Sequence, residues 1–209
     1  MYNDLKREEI LKSAPLLAKW LGLLFILILP AVTAQLLNNN FMMMNVPFLF
    51  AAGQVLNFAC FFAYGYILLQ LGGVEKGYRT AGICHITAAS LNMVQYLLEK
   101  NSALAPSLIL TLPMVAFSVA AVYNEYHSHS SVLAGIDDNL SKKWLGLWKW
   151  YLVFLICMIS ANFIIMIVLI LGLFTMLFAM AGTIVLNIFQ LIFLYRTVSV
   201  FKKISSQNI

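Results

Sequence analysis

Long apolar stretches of helical length alternate with short polar breaks along the chain. The runs 16–37, 47–71, 104–124, 150–171 and 174–198 each predict a membrane-crossing helix. About 20 residues at 1.5 Å per residue cover a hydrocarbon core of about 30 Å. A sixth run, 78–98, is mixed. At helical spacing Gly82, His85, Ala88, Ala89, Asn92, Gln95, Tyr96 and Glu99 share one face, and Ile83, Ile86, Leu91, Met93, Leu97 and Leu98 fall largely elsewhere. Lipid offers nothing to an amide or an imidazole, so that face predicts a helix surrounded by other helices.

Local signals set the breaks. Ser13 and Pro15 suit the start of the first span, and Pro30 predicts a kink in it. Residues 38–45 form an uncharged polar loop, and Pro47 fits the first turn of the second span. Gly72-Gly73 ends that span before a loop charged by Glu75, Lys76 and Arg79. Residues 99–102 close the third span; Pro106 opens the fourth and Pro113 predicts a kink inside it. From Trp150 to Val200 the only charge is Arg196. Fifty residues of helix would be roughly 75 Å long, so this stretch must fold back, with Leu171-Gly172 as the predicted turn and Ala181-Gly182 as the less balanced one.

Two segments read as helices lying in the headgroup layer. Residues 1–20 mix charge with a weak stripe of Ile10, Ala14, Leu17 and Leu21. Within 125–149 a clearer stripe runs through Leu140, Trp144, Leu147, Trp148 and Tyr151, with Asp138 as N-cap beside Asp137. Trp144, Trp148, Trp150, Lys142 and Lys143 are its expected interfacial anchors. The expected fold is an all-α polytopic membrane bundle. It forms one transmembrane domain over 1–209, with six transmembrane helices and N-terminal and 125–149 interfacial amphipathic helices. The basic start, the core Leu21–Pro30 and Ala31-Val32-Thr33-Ala34 also resemble a cleaved secretory leader, but Asp4, Glu8 and Glu9 fit that reading poorly.

Composition sharpens this picture. Of 209 residues, 62% are hydrophobic and 10% charged, against about 25% charged in soluble domains, which excludes an ordinary soluble enzyme. The net charge of +5 does not indicate nucleic acid, because the basic residues flank apolar runs; the expected partner is the lipid bilayer. With six spans and a cytoplasmic N-terminus, twelve of the thirteen Lys and Arg lie inside and only Lys100 outside. That is the distribution the positive-inside rule expects for a cell-membrane protein with both termini cytoplasmic. Cys60, Cys84 and Cys157 all lie in apolar runs and read as small buried side chains.

Chemistry is sparse. His85 is the only histidine inside an expected span. Leu91-Asn92-x-x-Gln95 recurs as Leu186-Asn187-x-x-Gln190 at an offset of 95 residues, which raises an inverted repeat of three spans per half, an arrangement many transporters use. A polar seam between spans three and six would then be lined by His85, Asn92, Gln95, Asn187 and Gln190, with Asn57 and Tyr64 beside it. Without a seam, the amides are interhelical glue. Glu99 and Glu125 are expected at span ends where hydration is easy, and Glu125, His127, Ser128, His129, Asp137 and Asp138 read as a solvated loop, not a metal site. HExxH, GxSxG, a Walker loop and GxGxxG are all missing, so no enzyme, cofactor or metal is expected. An N-terminal elbow helix before six spans is similar in outline to the permease subunits of ATP-binding-cassette exporters and to small substrate-binding subunits of vitamin importers. That resemblance, in span count alone, implies a cytoplasmic ATPase or another membrane subunit as partner. The expected role is therefore a small transporter or the membrane subunit of a transport complex. The alternative is a non-transporting scaffold that binds partners through the cytoplasmic 125–149 loop.

Overall fold

The computed structural model describes residues 2–38, 40–100 and 104–207, with side chains described for 7–38, 43–98 and 109–207. Among them every element is helical: α1 (Tyr2–Lys12), α2 (Ala14–Leu37), α3 (Asn40–Asn45), α4 (Pro47–Leu71), α5 (Lys76–Lys100), α6 (Leu104–Leu133), α7 (Asp138–Ile167) and α8 (Leu169–Gln207). Five helices are long and apolar enough to cross a membrane: α2, α4, α6 from Ile109, α7 and α8. The protein is thus a multi-pass helical membrane protein by length and composition. The polar face of α5 keeps that helix outside this set.

The six long helices form a closed ring. In the order α2, α4, α5, α6, α7, α8 each packs on the next, and α8 returns to α2. All neighbours run antiparallel, as the close approaches show: Gly65 meets Gly82 and Ile86, Trp144 meets Thr197, and Gly22 meets Val198. Short turns at 72–75 and 134–137 place two hairpins at one end, together with the start of α2 and the end of α8. Among the described side chains the basic ones gather toward this end, which we call the basic end.

Sequence chemistry explains the joints. Pro47 occupies the first turn of α4, and Gly72 follows its last residue. At Gly82 a Cβ would stand 2.7 Å from the Gly65 carbonyl oxygen and 2.9 Å from the Leu69 nitrogen, so α4 and α5 touch backbone to backbone. Gly135 has φ 74°, the left-handed conformation that ends α6. The cap of α7 is Asp137, whose side chain accepts from the Leu140 N–H at 2.9 Å; Asp138, expected as the cap, instead accepts from the Gly135 N–H at 2.7 Å.

Packing is uneven along the ring. Leu17, Leu21, Leu24, Leu68, Leu71, Tyr78, Leu133, Trp144 and Phe201 are fully buried near the basic end. Toward the other end α7 and α8 mainly cover each other, and between residues 155 and 185 only Ala161, Gly172 and Ala179 are buried. The bundle is knit at the basic end and splayed at the opposite one.

Several expectations are corrected here. The fold-back lies at Val168, in extended conformation, and not at Leu171-Gly172. Gly172 is instead a close-approach residue, where a Cβ would stand 2.5 Å from the Ile165 nitrogen. Residues 125–149 are not an interfacial helix: α6 continues to Leu133, a short turn follows, and α7 starts at Asp138. The stripe of Leu140, Trp144 and Leu147 is real, but it is buried in the bundle. The polar loop 38–45 contains α3. The loop closing the third span, at 101–103, and the side chains of Glu99, Lys100 and Pro106 lie outside the described residues.

Candidate functional site: a buried carboxylate between two histidines

The ring interior near the basic end holds a polar centre on α4, α5 and α6. Glu125 of α6 is 2% exposed. Its Oε1 accepts a 2.5 Å hydrogen bond from the Tyr64 hydroxyl of α4. Its Oε2 lies 3.3 Å from Nε2 of His85 on α5. Nε2 of His129, one helical turn along α6, lies 3.5 Å from Oε1. Residues four apart share a helix face, so the pair Glu125–His129 points inward as one unit. His129 is fully buried, and its Nδ1 is 2.7 Å from the Tyr78 hydroxyl of α5.

This yields a polar series, His85, Glu125, His129, Tyr78, in which the His129 Nε2–Glu125 step is an ion-pair distance of 3.5 Å and not a hydrogen bond. Its two ends differ in access. The His85 side chain keeps 16% exposure, whereas His129 and Tyr78 keep none. On the sealed side Trp144 of α7 stacks on the His129 ring, with centroids 4.2 Å apart, and donates to the Thr197 hydroxyl of α8 at 3.2 Å. Tyr126 of α6 donates to Oε1 of Gln190 on α8 at 3.1 Å. The centre therefore draws side chains from five of the six ring helices. The chemistry available is proton exchange along the chain, or polar attraction that fixes helix positions. Among the described residues no cluster of three or more His, Cys, Asp or Glu is arranged to hold a metal ion.

The structure brings His85 and Tyr64 together as members of this centre, while Gln190 touches it only through Tyr126. It does not assemble the expected seam. α5 and α8 stand opposite each other in the ring, separated by α6 and α7 on one side and by α4 and α2 on the other. Asn92, Gln95 and Asn57 are half-buried on α5 and α4, and Asn187 is exposed on α8. The inverted repeat fails on geometry. The 95-residue offset advances every helix three places in the same sense around the ring, yet α2 and α6 point in opposite directions. A rotation that reverses helix direction also reverses the sense of the ring, so no rotation superposes the halves.

Compared with known protein families, curated proteins and solved structures, the chain matches none. Its function has to be argued from the site.

The residues that the solvated-loop expectation missed are Glu125 and His129. Their loop-like surroundings, Asn124 to Ser131, read as polar, but no Gly or Pro interrupts the chain between Pro113 and Gly135. That uninterrupted stretch, with Glu and His at i and i+4, was the available signal for an inward polar stripe answering the one on α5. Of the expected interfacial anchors, Trp144 is fully buried because it packs on His129, and Trp148 is half-buried against Tyr123 and Tyr151. Trp150 and Lys142 are exposed, and Lys143 is half-buried.

Proposed function

We propose that this is a six-span protein of the cell membrane with both termini in the cytoplasm. In this reading it works as a small transporter, or as the membrane subunit of a transport complex partnered by a cytoplasmic ATPase or another membrane subunit, and not as an enzyme. One observation carries the reading: a carboxylate 2% exposed, inside a helix fit to cross a membrane, has a histidine at each of its oxygens. Holding helices together does not require such a group, because well-packed apolar side chains do so at equal or lower cost. Ionisable groups in spanning helices belong to ion and proton paths. Glu125 exchanges a proton with His85 on its accessible side and with His129 on its sealed side. The sealed layer of Tyr78, His129 and Trp144 blocks the basic end, and alternation of that seal would give passage.

The sixth span rests on α5, which lies antiparallel between α4 and α6 along its length of roughly 37 Å. The orientation rests on the collection of basic residues at the end that carries both termini. The alternative, a scaffold working through 125–149, loses most of its surface, since Glu125, Ser128, His129, Ser130, Ser141 and Trp144 are buried.

The test is charge movement in proteoliposomes on a solid-supported membrane, read after pH jumps and after jumps of a solute panel. Wild type should give a transient current that Glu125→Gln abolishes and Lys142→Gln leaves intact. Equal currents in wild type and Glu125→Gln, or none from wild type across the panel, would overturn the reading.

A further inference from the structure

A second feature of the surface, an apolar groove, lies away from Glu125. It runs between α7 and α8, holds about 420 Å³, and is lined by apolar side chains except for Lys143 at its basic end. Its walls are two aromatic pairs, Trp150 with Phe154 and Phe189 with Phe193. Gly146 creates part of its space, because no atom stands within 4 Å of where its Cβ would be. At the far end the Phe154 ring packs onto Gly182 and closes it.

The mouth is charged in a way the groove alone does not reveal. The hydrogen bond from Trp144 to Thr197 sets the level of the two helices. Lys143 and Arg196 precede those residues in their antiparallel helices, so they flank the mouth within roughly 3 Å of one height. Arg196 is seven residues beyond Phe189, two turns along the same face, and it is exposed. Among the described residues neither cation forms an ion pair. From Lys143 to Phe154 the groove follows eleven residues, roughly 16 Å. One leaflet of the hydrocarbon core is about 15 Å deep.

We propose that this groove seats one anionic glycerophospholipid of the leaflet at the basic end. Its phosphate lies between Lys143 and Arg196, and an acyl chain lies along Gly146 between the aromatic walls. The site accounts for the lone charge of the 150–200 stretch and for a glycine that no helix contact requires.

The experiment is native mass spectrometry of the detergent-purified full chain with added phosphatidylglycerol or phosphatidylcholine. Two cations at the headgroup predict a roughly thirty-fold preference for phosphatidylglycerol. Lys143→Gln with Arg196→Gln should reduce it to about the level of phosphatidylcholine, while Lys202→Gln with Lys203→Gln, which carries the same charge loss, should leave it unchanged. Gly146→Leu, whose Cβ has no atom within 4 Å, should weaken both lipids. Equal binding of the two lipids by wild type, loss of preference in the Lys202/Lys203 variant, or unaltered binding by Gly146→Leu would each overturn the proposal. Gel filtration and circular dichroism matching wild type show that each variant is folded.

Discussion

Replacing Glu125 with leucine tests whether the buried centre is built around its carboxylate. The change removes the acceptor for Tyr64 at 2.5 Å and the partner of both histidines. His85 keeps some exposure and can rehydrate; His129 keeps Tyr78 at Nδ1 but loses the carboxylate 3.5 Å from Nε2 in a fully buried setting. Stranded buried polar groups cost about 1–3 kcal/mol each, and breaking a buried charged pair costs about 3–5 kcal/mol in all. For a chain of 209 residues that is a loss of about 6–20 °C in the unfolding midpoint. Intrinsic fluorescence during a thermal scan in micelles at fixed rate reads it. The decisive comparison adds Tyr64→Phe. Alone, that variant should cost about 1–2 kcal/mol; on top of Glu125→Leu it should recover stability, because the hydroxyl it removes is already unpaired. If the two losses simply add, Tyr64 and Glu125 are not coupled, and the account of the centre is wrong.

Other predictions rest on close approaches and exposure. Gly82→Ala should destabilise by about 1–3 kcal/mol in the same thermal scan, since its Cβ meets α4 backbone, which cannot turn aside. Gly172→Ala should act similarly on the α7–α8 hairpin, read as faster proteolysis near Val168. Asn187→Leu should change stability by less than about 0.5 kcal/mol, because the side chain is exposed and serves no seam. A green fluorescent protein fused after residue 209 should fluoresce in the cytoplasm, and alkaline phosphatase fused after residue 101 should be active outside; the reverse pattern would rule out the proposed topology.

How much was legible in the chain varies by element, for physical reasons. The α4 boundaries follow from Pro47 and Gly72, local signals that act the same in any surroundings. The sequence points to an α7–α8 turn a few residues too late, because glycine signals close packing as well as turning, and Gly172 does the first. An amphipathic stripe such as Leu140, Trp144 and Leu147 says that one face is covered without saying by what; headgroups and neighbouring helices satisfy it equally. The polar face of α5 did foretell a wet-sided helix inside a bundle. It could not name its partner, because the answering groups on α6 occur in a stretch whose composition resembles a loop.

The ring is completed by its first and last long helices. The face of α2 bearing Gly22 and Phe25 meets Val198 and Tyr195 of α8 only after roughly 160 further residues have been made, an interval of about 8–30 s at ordinary rates of synthesis. Until then the nascent protein is an open arc with an unmated edge, which an insertase or a second nascent copy could occupy. The same adjacency brings the start of α2 beside the end of α8, so a linker joining those two helices, with a new opening at the turn 134–137, should yield a permuted chain that assembles the same bundle in a different birth order.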